Sequence, residues 1–224
     1  MDKVSVIIPT VQKNLSVLLL LVSSLCEDSV VDEILIINNI NRPLKSHNPK
    51  LKILQQEKNL YVNASWNLGV ESVKNDIFLI INDDILPCKN FCSKIFKSGI
   101  LDRENTGLVG IDVNYINQKP KDTKVLEYPE SGNIVFYKEL NKFMQTGDWG
   151  SAFFGRKENY YKIPDDIKII FGDNYLLYKN KENGKINYSV YNLNFNHIHS
   201  LSSASSEFRD VILNDIVNYK KYFN

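Results

Sequence analysis

Asp83 and Asp84 follow almost directly on five apolar residues, Ile77-Phe78-Leu79-Ile80-Ile81, with only Asn82 between. Paired carboxylates at the end of such a run can hold a divalent cation against a phosphorylated ligand. With Pro87 close behind, the same residues can equally form an ordinary turn. His197 and His199 are one residue apart. On a strand both side chains point to one face, as a metal or phosphate site or simply as a solvated strand end. Asp173 opens the segment Asp173-Asn174-Tyr175-Leu176-Leu177-Tyr178, where a carboxylate suits the first turn or cap of a helix and needs no further role there. In Trp149-Gly150-Ser151-Ala152-Phe153-Phe154-Gly155 the small residues allow close approach of a ligand or another backbone, or mark a bulged core strand.

The elements that must position these residues follow from the apolar pattern. The uninterrupted run 77–81 reads as a strand buried on both faces, the kind found in parallel sheets covered by helices. Val4-Ser5-Val6-Ile7-Ile8-Pro9-Thr10 is another buried strand, and Asn14 can cap a helix over 15–26. Glu33-Ile34-Leu35-Ile36-Ile37-Asn38-Asn39 repeats the pattern, 51–54 is a third short strand, and a helix is expected over about 63–74. Strands alternating with helices on short connections predict an α/β fold with a mostly parallel central sheet and helices on both faces. A helix around 90–99 and a strand at 107–111 continue the series, then 124–128 and 133–137 read as a hairpin. Two strands at 186–191 and 193–198 precede an amphipathic helix over 205–223 that would pack through Phe208, Ile212, Ile216 and Tyr219.

Composition narrows the function classes. The chain has 224 residues, 43% hydrophobic and 24% charged, with a net charge of +1. That is ordinary for one globular α/β domain and gives no sign of a nucleic-acid surface. The first strand starts almost at once and the apolar block 15–25 is too short to span a bilayer, so no signal or transmembrane segment is expected and the placement is cytoplasmic. Cys26, Cys88 and Cys92 lack paired spacing and read as free thiols.

In order and spacing these motifs resemble the GT-A glycosyltransferases, in particular the inverting, nucleotide-sugar-dependent family 2. The first two strands match its opening β-α-β half, Asn59 through Trp66-Asn67-Leu68-Gly69-Val70 its Asn-x-Gly helix, and Ile80-Ile81-Asn82-Asp83-Asp84 its DxD element. Residues 150–155 resemble its acceptor strand, and Phe171-Gly172-Asp173-Asn174 its late acidic motif. The likeness is most specific over 4–87, weaker to about 200, and absent for the final helix.

The resemblance implies a three-layer GT-A sandwich, with 1–112 as a nucleotide-sugar half, 113–204 as an acceptor half and 205–224 as a C-terminal helix. It implies a nucleotide-diphosphate sugar as donor, a saccharide or other hydroxyl as acceptor, and Mn²⁺ or Mg²⁺ as cofactor. Pro9, Thr10, Asn38 and Asn67 would lie near the base and ribose, with Asn82 and Asp83 beside the donor. Asp84 would ligate the metal, completed by His197 or His199. Inversion needs a base opposite the leaving group, and Asp173 is the candidate ahead of Asp148 and Asp165. Two positions depart from the family: Asn38-Asn39 stands for its usual Asp-Asn, and neutral Asn82 opens the DxD element. Two other readings stay open: a catalytically silent sugar-binding relative, and a sugar nucleotidyltransferase. The second would call for a glycine-rich loop after the first strand, which residues 9–14 lack.

Overall fold

A computed structural model describes residues 2–119, 126–140, 147–198 and 208–223. In chain order the elements are β1 (Val4–Thr10), α1 (Leu15–Glu27), β2 (Val31–Asn38), β3 (Leu51–Gln55), α2 (Tyr61–Ser72), β4 (Ile77–Ile81), β5 (Ile85–Pro87) and α3 (Phe91–Lys97). They continue with β6 (Thr106–Ile111), β7 (Ile116–Lys119), β8 (Phe136–Glu139), β9 (Ala152–Arg156), α4 (Gly172–Glu182), β10 (Ile186–Tyr191), β11 (Phe195–Ile198) and α5 (Arg209–Asn218). Eight strands form the main sheet in the order β3-β2-β1-β4-β9-β6-β10-β8, and β5-β11-β7 form a small second sheet.

The expected α/β architecture is present, and β4 shows why. Its alternate residues serve two separate cores: Ile77, Leu79 and Ile81 pack with α1 and α3, while Phe78 and Ile80 pack with α2 and α4. A strand covered by helices on both faces has no polar face, hence the unbroken apolar run. Strands β3, β2, β1 and β4 run parallel, β9 lies antiparallel between β4 and β6, β10 is parallel to β6, and β8 is antiparallel to β10. The carboxyl ends of β1, β2, β4, β6 and β10 therefore share one edge. No helix among the described residues is long and apolar enough to cross a membrane, and the three cysteines are free.

Several expectations need correction. The hairpin does not form: residues 126–135 contain no strand, and β8 pairs with β10. The backbone of that stretch is held by side-chain amides instead, Asn192 Nδ2 donating to Ile134 O, Asn194 Nδ2 to Glu130 O and Asn196 Nδ2 to Glu127 O. The small-residue strand begins at Ala152, because Gly147–Ser151 forms a 3-10 turn. Residues 124–125 and 205–207 lie outside the described residues. The final helix packs near its ends through Phe208 and Tyr219 as expected, with Ile212 half-buried, but not through Ile216. Asp215 is its buried residue, whereas Leu213, Ile216 and Val217 are exposed.

One buried charge ties the parallel strands together. Glu33 on β2 accepts hydrogen bonds from Ser5 Oγ (2.6 Å), Lys52 Nζ (2.6 Å) and the Lys74 N–H (2.8 Å). Burial works to raise its carboxyl, but the bonds from Lys52, Lys74 and Ser5 outweigh that and hold it below the usual range. A lowered carboxylate stabilises the fold fully above its ordinary value of 4.5 and loses that contribution as pH falls through the folded value. Glu33→Ala is expected to cost about 3 kcal/mol, since it leaves buried donors unpaired. Urea midpoints from pH 3 to 7 check this: the acid loss of stability should be steeper in the wild type than in the variant.

Candidate active site

Where β4 ends, the chain turns through Asn82, Asp83 and Asp84 into β5. Asn82 N–H donates to Ser151 O (2.9 Å), fastening the turn to the start of β9, and Ile198 N–H donates to Asp84 O (2.9 Å), fastening it to β11. The parallel register of β1 and β4, with Ile7 beside Ile80, carries Thr10 to the level of Asp83. Thr10 Oγ1 donates to Asp83 Oδ2 (2.5 Å) and accepts from Gln12 N–H (2.8 Å). Burial, and then the neighbouring Asp84 carboxylate, push the Asp83 carboxyl up to about 7, against the pull of the Thr10 bond and of Lys13. Two adjacent acids in this setting form a site whose repulsion a cation would relieve.

Asp84 meets His197 across the second sheet. Its Oδ2 lies 3.4 Å from His197 Nε2, and its buried Oδ1 has no hydrogen-bond partner among the described residues. Two ligands each about 2.1 Å from one cation stand roughly 3 Å apart, so this edge fits a shared divalent ion. Gln118 on β7 lies 3.3 Å from His197 Nδ1. The facing atom is the amide nitrogen Nε2, which as donor to Nδ1 leaves the proton on His197 Nε2 beside Asp84 Oδ2; turning the amide over would instead free the Nε2 lone pair. No cluster of three or more acidic, histidine or cysteine side chains occurs among the described residues. Among the described residues, Asp84 and His197 are the two side chains at this edge that could serve as direct ligands, leaving the remaining positions to substrate oxygens and water. His199 lies outside the described residues.

Asp173 stands in the first turn of α4, after Phe171 at φ 66°. Its carboxylate rests on Gly150: a Cβ at that glycine would lie 2.7 Å from Asp173 Oδ2. Gly150 precedes Ser151, whose carbonyl holds Asn82, so one short turn links the candidate base to the acidic pair. Asp165 lies in the loop leading to α4, and of Asp148 only the backbone is described.

Two residues expected near the base and ribose have partners within the fold. Asn38 is fully buried, accepting from Gln12 Nε2 (2.9 Å) and donating to Arg42 O (2.9 Å) and Gln55 Oε1 (2.7 Å). Asn67 donates to Ile163 O (2.9 Å) and accepts from Ile163 N–H (3.0 Å) and Tyr160 OH (2.9 Å). Both amides are thus hydrogen-bonded within the fold. Asn38 orients Gln12, held at φ 52° and gripped by Arg42 through its Nε (2.7 Å) and Nη2 (2.8 Å). Pro9 and Asn82 lie at the same sheet edge, on β1 and just after β4.

The loop before Asp173 is held from both sides. On α2, Asn63 Nδ2 donates to Ile167 O (3.0 Å) and Ile170 O (3.3 Å). Its Oδ1 presses on Gly172, where a Cβ would lie 2.1 Å away, so only glycine fits. From α5, Asp215 accepts the N–H groups of Lys168 (2.8 Å), Ile169 (2.7 Å) and Ile170 (3.0 Å). Nothing in the sequence pattern marks Asp215, Gln12, Arg42 or Gln118, since their partners are backbone groups or residues far along the chain. Asp215→Ala is expected to cost about 2–4 kcal/mol through three orphaned donors. Thermal unfolding measures that loss, and hydrogen exchange should show faster amides at 168–170 than in the wild type.

Residues 5–174 match the sequence profile of glycosyl transferase family 2. Among solved structures the chain superposes on GalNAc-T7, determined with UDP, GalNAc and Mn²⁺, at a TM-score of 0.69 and 13% identity, covering 99% of this chain and 49% of that one. It also superposes on TarS of S. aureus at a TM-score of 0.55 and 15% identity, covering 99% of this chain and 40% of that one. At such identities the likeness is one of fold, and this chain spans half or less of each neighbour's length. No curated protein matches it in sequence.

Proposed function

This chain belongs to glycosyl transferase family 2, and from that premise we propose that it moves a sugar, with inversion, from a nucleotide-diphosphate donor to a hydroxyl of a saccharide acceptor. The observation that carries the reading is the Asp84–His197 edge, with a buried Asp84 oxygen that has no partner among the described residues, joined to Asp173 through Ser151 and Gly150. The sheet edge supplies the place for the donor, since open α/β sheets bind ligands at the carboxyl ends of their strands.

Each residue has work suited to its chemistry. Thr10 and Asp83 take the ribose side, where a hydroxyl and a carboxylate can exchange hydrogen bonds with sugar hydroxyls. Pro9 and Asn82 line the same edge. Asp84 and His197 would hold Mn²⁺ or Mg²⁺, which when bound supplies positive charge against the leaving diphosphate. The imidazole nitrogen beside a carboxylate oxygen favours Mn²⁺ over Mg²⁺, which prefers oxygen ligands. Asp173, in the first turn of α4, accepts the proton of the attacking acceptor hydroxyl. The donor half is 1–112 and the acceptor half 113–204, with the acceptor entering from the Asp173 side.

A donor screen tests the proposal. Incubation with UDP-, GDP- and dTDP-linked sugars and Mn²⁺, followed by assay of free nucleoside diphosphate, should give release with one nucleotide class that stops on chelation. Absence of release and of nucleoside-diphosphate binding across the set would overturn it.

A further inference from the structure

Outside the crevice, three aromatic rings stand in a row along the active edge of the sheet. Tyr191, the last residue of β10, pairs across the ladder with Phe136, the first of β8. Their rings stack 5.5 Å apart at 19°, and on the other side Tyr115 lies 6.2 Å from Tyr191 at 32°. Phe136 is 47% exposed, with Ile134 at 66% and Val113 at 41% also turned to solvent. Exposed apolar groups gathered in one place, rather than scattered singly, mark a surface that something covers.

The position of the row says what that is. Because β10 is parallel to β6, and β6 to β4 through the reversed β9, Tyr191 ends its strand at the edge where β4 gives way to the turn that carries Asp84. The turn Val113–Tyr115 packs against the turn Gly147–Ser151, the one whose Gly150 carries Asp173. Tyr115 leads directly into β7 and Gln118, and Tyr191 leads through a short turn into β11 and His197. The turn that carries Tyr115 thus lies against the turn on which Asp173 rests, and from Tyr115 the rings run through Tyr191 to Phe136 on β8, the margin of the sheet.

The frame under the rings is fixed. Asn192, at φ 70°, donates to Ile134 O (2.8 Å) and accepts at its own carbonyl from Ser131 Oγ (2.8 Å). Gly132 packs so closely on the Asn192 amide that a Cβ would lie 2.2 Å from Nδ2. Polar groups border the rings: Asn114 and Lys138 both reach Asp112 at the end of β6. A flat apolar centre with polar groups at its margin complements a pyranose, whose C–H face is apolar and whose hydroxyls point outward around the ring.

We propose that Tyr115, Tyr191 and Phe136 form a subsite for the inner sugar rings of an extended saccharide acceptor, placing its terminal hydroxyl at Asp173. The proposal rests on the glycosyltransfer reading above and adds to it that the acceptor is an oligosaccharide. A protein partner is the weaker fit, since the row is narrow and leads into the crevice.

Saturation-transfer NMR with β1,4-glucose, β1,4-N-acetylglucosamine and α1,6-mannose hexasaccharides, beside their monosaccharides, tests it. At least one hexasaccharide should bind the wild type more tightly than its monosaccharide, through C–H protons of one ring face. Its affinity should fall about tenfold or more in Phe136→Ala, and hold in Phe136→Trp, which keeps an aromatic face. Binding of no hexasaccharide to the wild type overturns the proposal, as does equal affinity in wild type and Phe136→Ala. So does light scattering that shows a wild-type dimer turned monomeric by Phe136→Ala, which would make the row a contact between copies. Nucleotide release, measured on the wild type, separates the two claims. Ring-dependent saccharide binding without release from any donor keeps the subsite and removes the transfer reading. Release with ring-independent saccharide affinity does the reverse.

Discussion

Asp173→Asn will lower transfer by about a hundredfold to ten-thousandfold, the usual contribution of a positioned base, while leaving donor affinity unchanged. The substitution keeps the shape of the side chain, so its seat on Gly150 in the first turn of α4 survives. It removes only the capacity to take a proton. An amide there still points a carbonyl oxygen toward the acceptor, which separates proton transfer from binding. Steady-state transfer rates together with calorimetric titration of the nucleoside diphosphate check both halves. Transfer near the wild-type rate would exclude Asp173 as the base, and equal losses of donor binding and rate would assign it to the donor site instead.

Asp84→Ala should weaken nucleoside-diphosphate binding in Mn²⁺ by about a hundredfold, the scale of removing one partner from a desolvated charge pair, and abolish metal-stimulated release. Without metal the two proteins should bind the nucleotide equally. A folding control is built into the site. Burial and Asp84 together push the Asp83 carboxyl up to about 7, so removing Asp84 relieves repulsion, and the metal-free variant should melt no lower than the wild type. A lower melting temperature would mean that Asp84 holds the fold rather than the ion. His197→Gln should reproduce a smaller share of the same loss, because a neutral amide is a poorer ligand than imidazole.

How far the sequence foretold this arrangement differs from residue to residue. The strand 77–81 was legible because a strand serving two cores has no polar position to interrupt it, and the acids after it necessarily fall at the carboxyl edge. The cap at Asn14 was legible for the same local reason, its side chain accepting from Val17 N–H (3.2 Å). Asp215 was not, because a carboxylate that binds backbone N–H groups some 45 residues away leaves no trace in helix periodicity. The apolar stripe of Phe208, Ile212 and Tyr219 accounts for the packing of the helix without calling for a buried acid among them. The amides of Asn38 and Asn67 look equally available for a ligand and for the fold. Their partners in the fold, Gln12, Arg42 and Gln55 for one and Tyr160 and Ile163 for the other, are set by tertiary structure and not by local pattern. The reversed strand β9 likewise owes its place between β4 and β6 to packing of Phe153 and Phe154 into opposite cores, a long-range matter.

Paramagnetic broadening by Mn²⁺ reads the central claim at the atoms concerned. Ring protons of His197, assigned through His197→Gln, are followed as Mn²⁺ is added at substoichiometric levels with UDP, GDP or dTDP. The account predicts selective broadening of the His197 resonances with one of these nucleotides, lost in Asp84→Ala, while exposed His47 in the loop after β2 keeps its intensity. Sharp His197 resonances with all three nucleotides, or broadening that persists in Asp84→Ala, would contradict it.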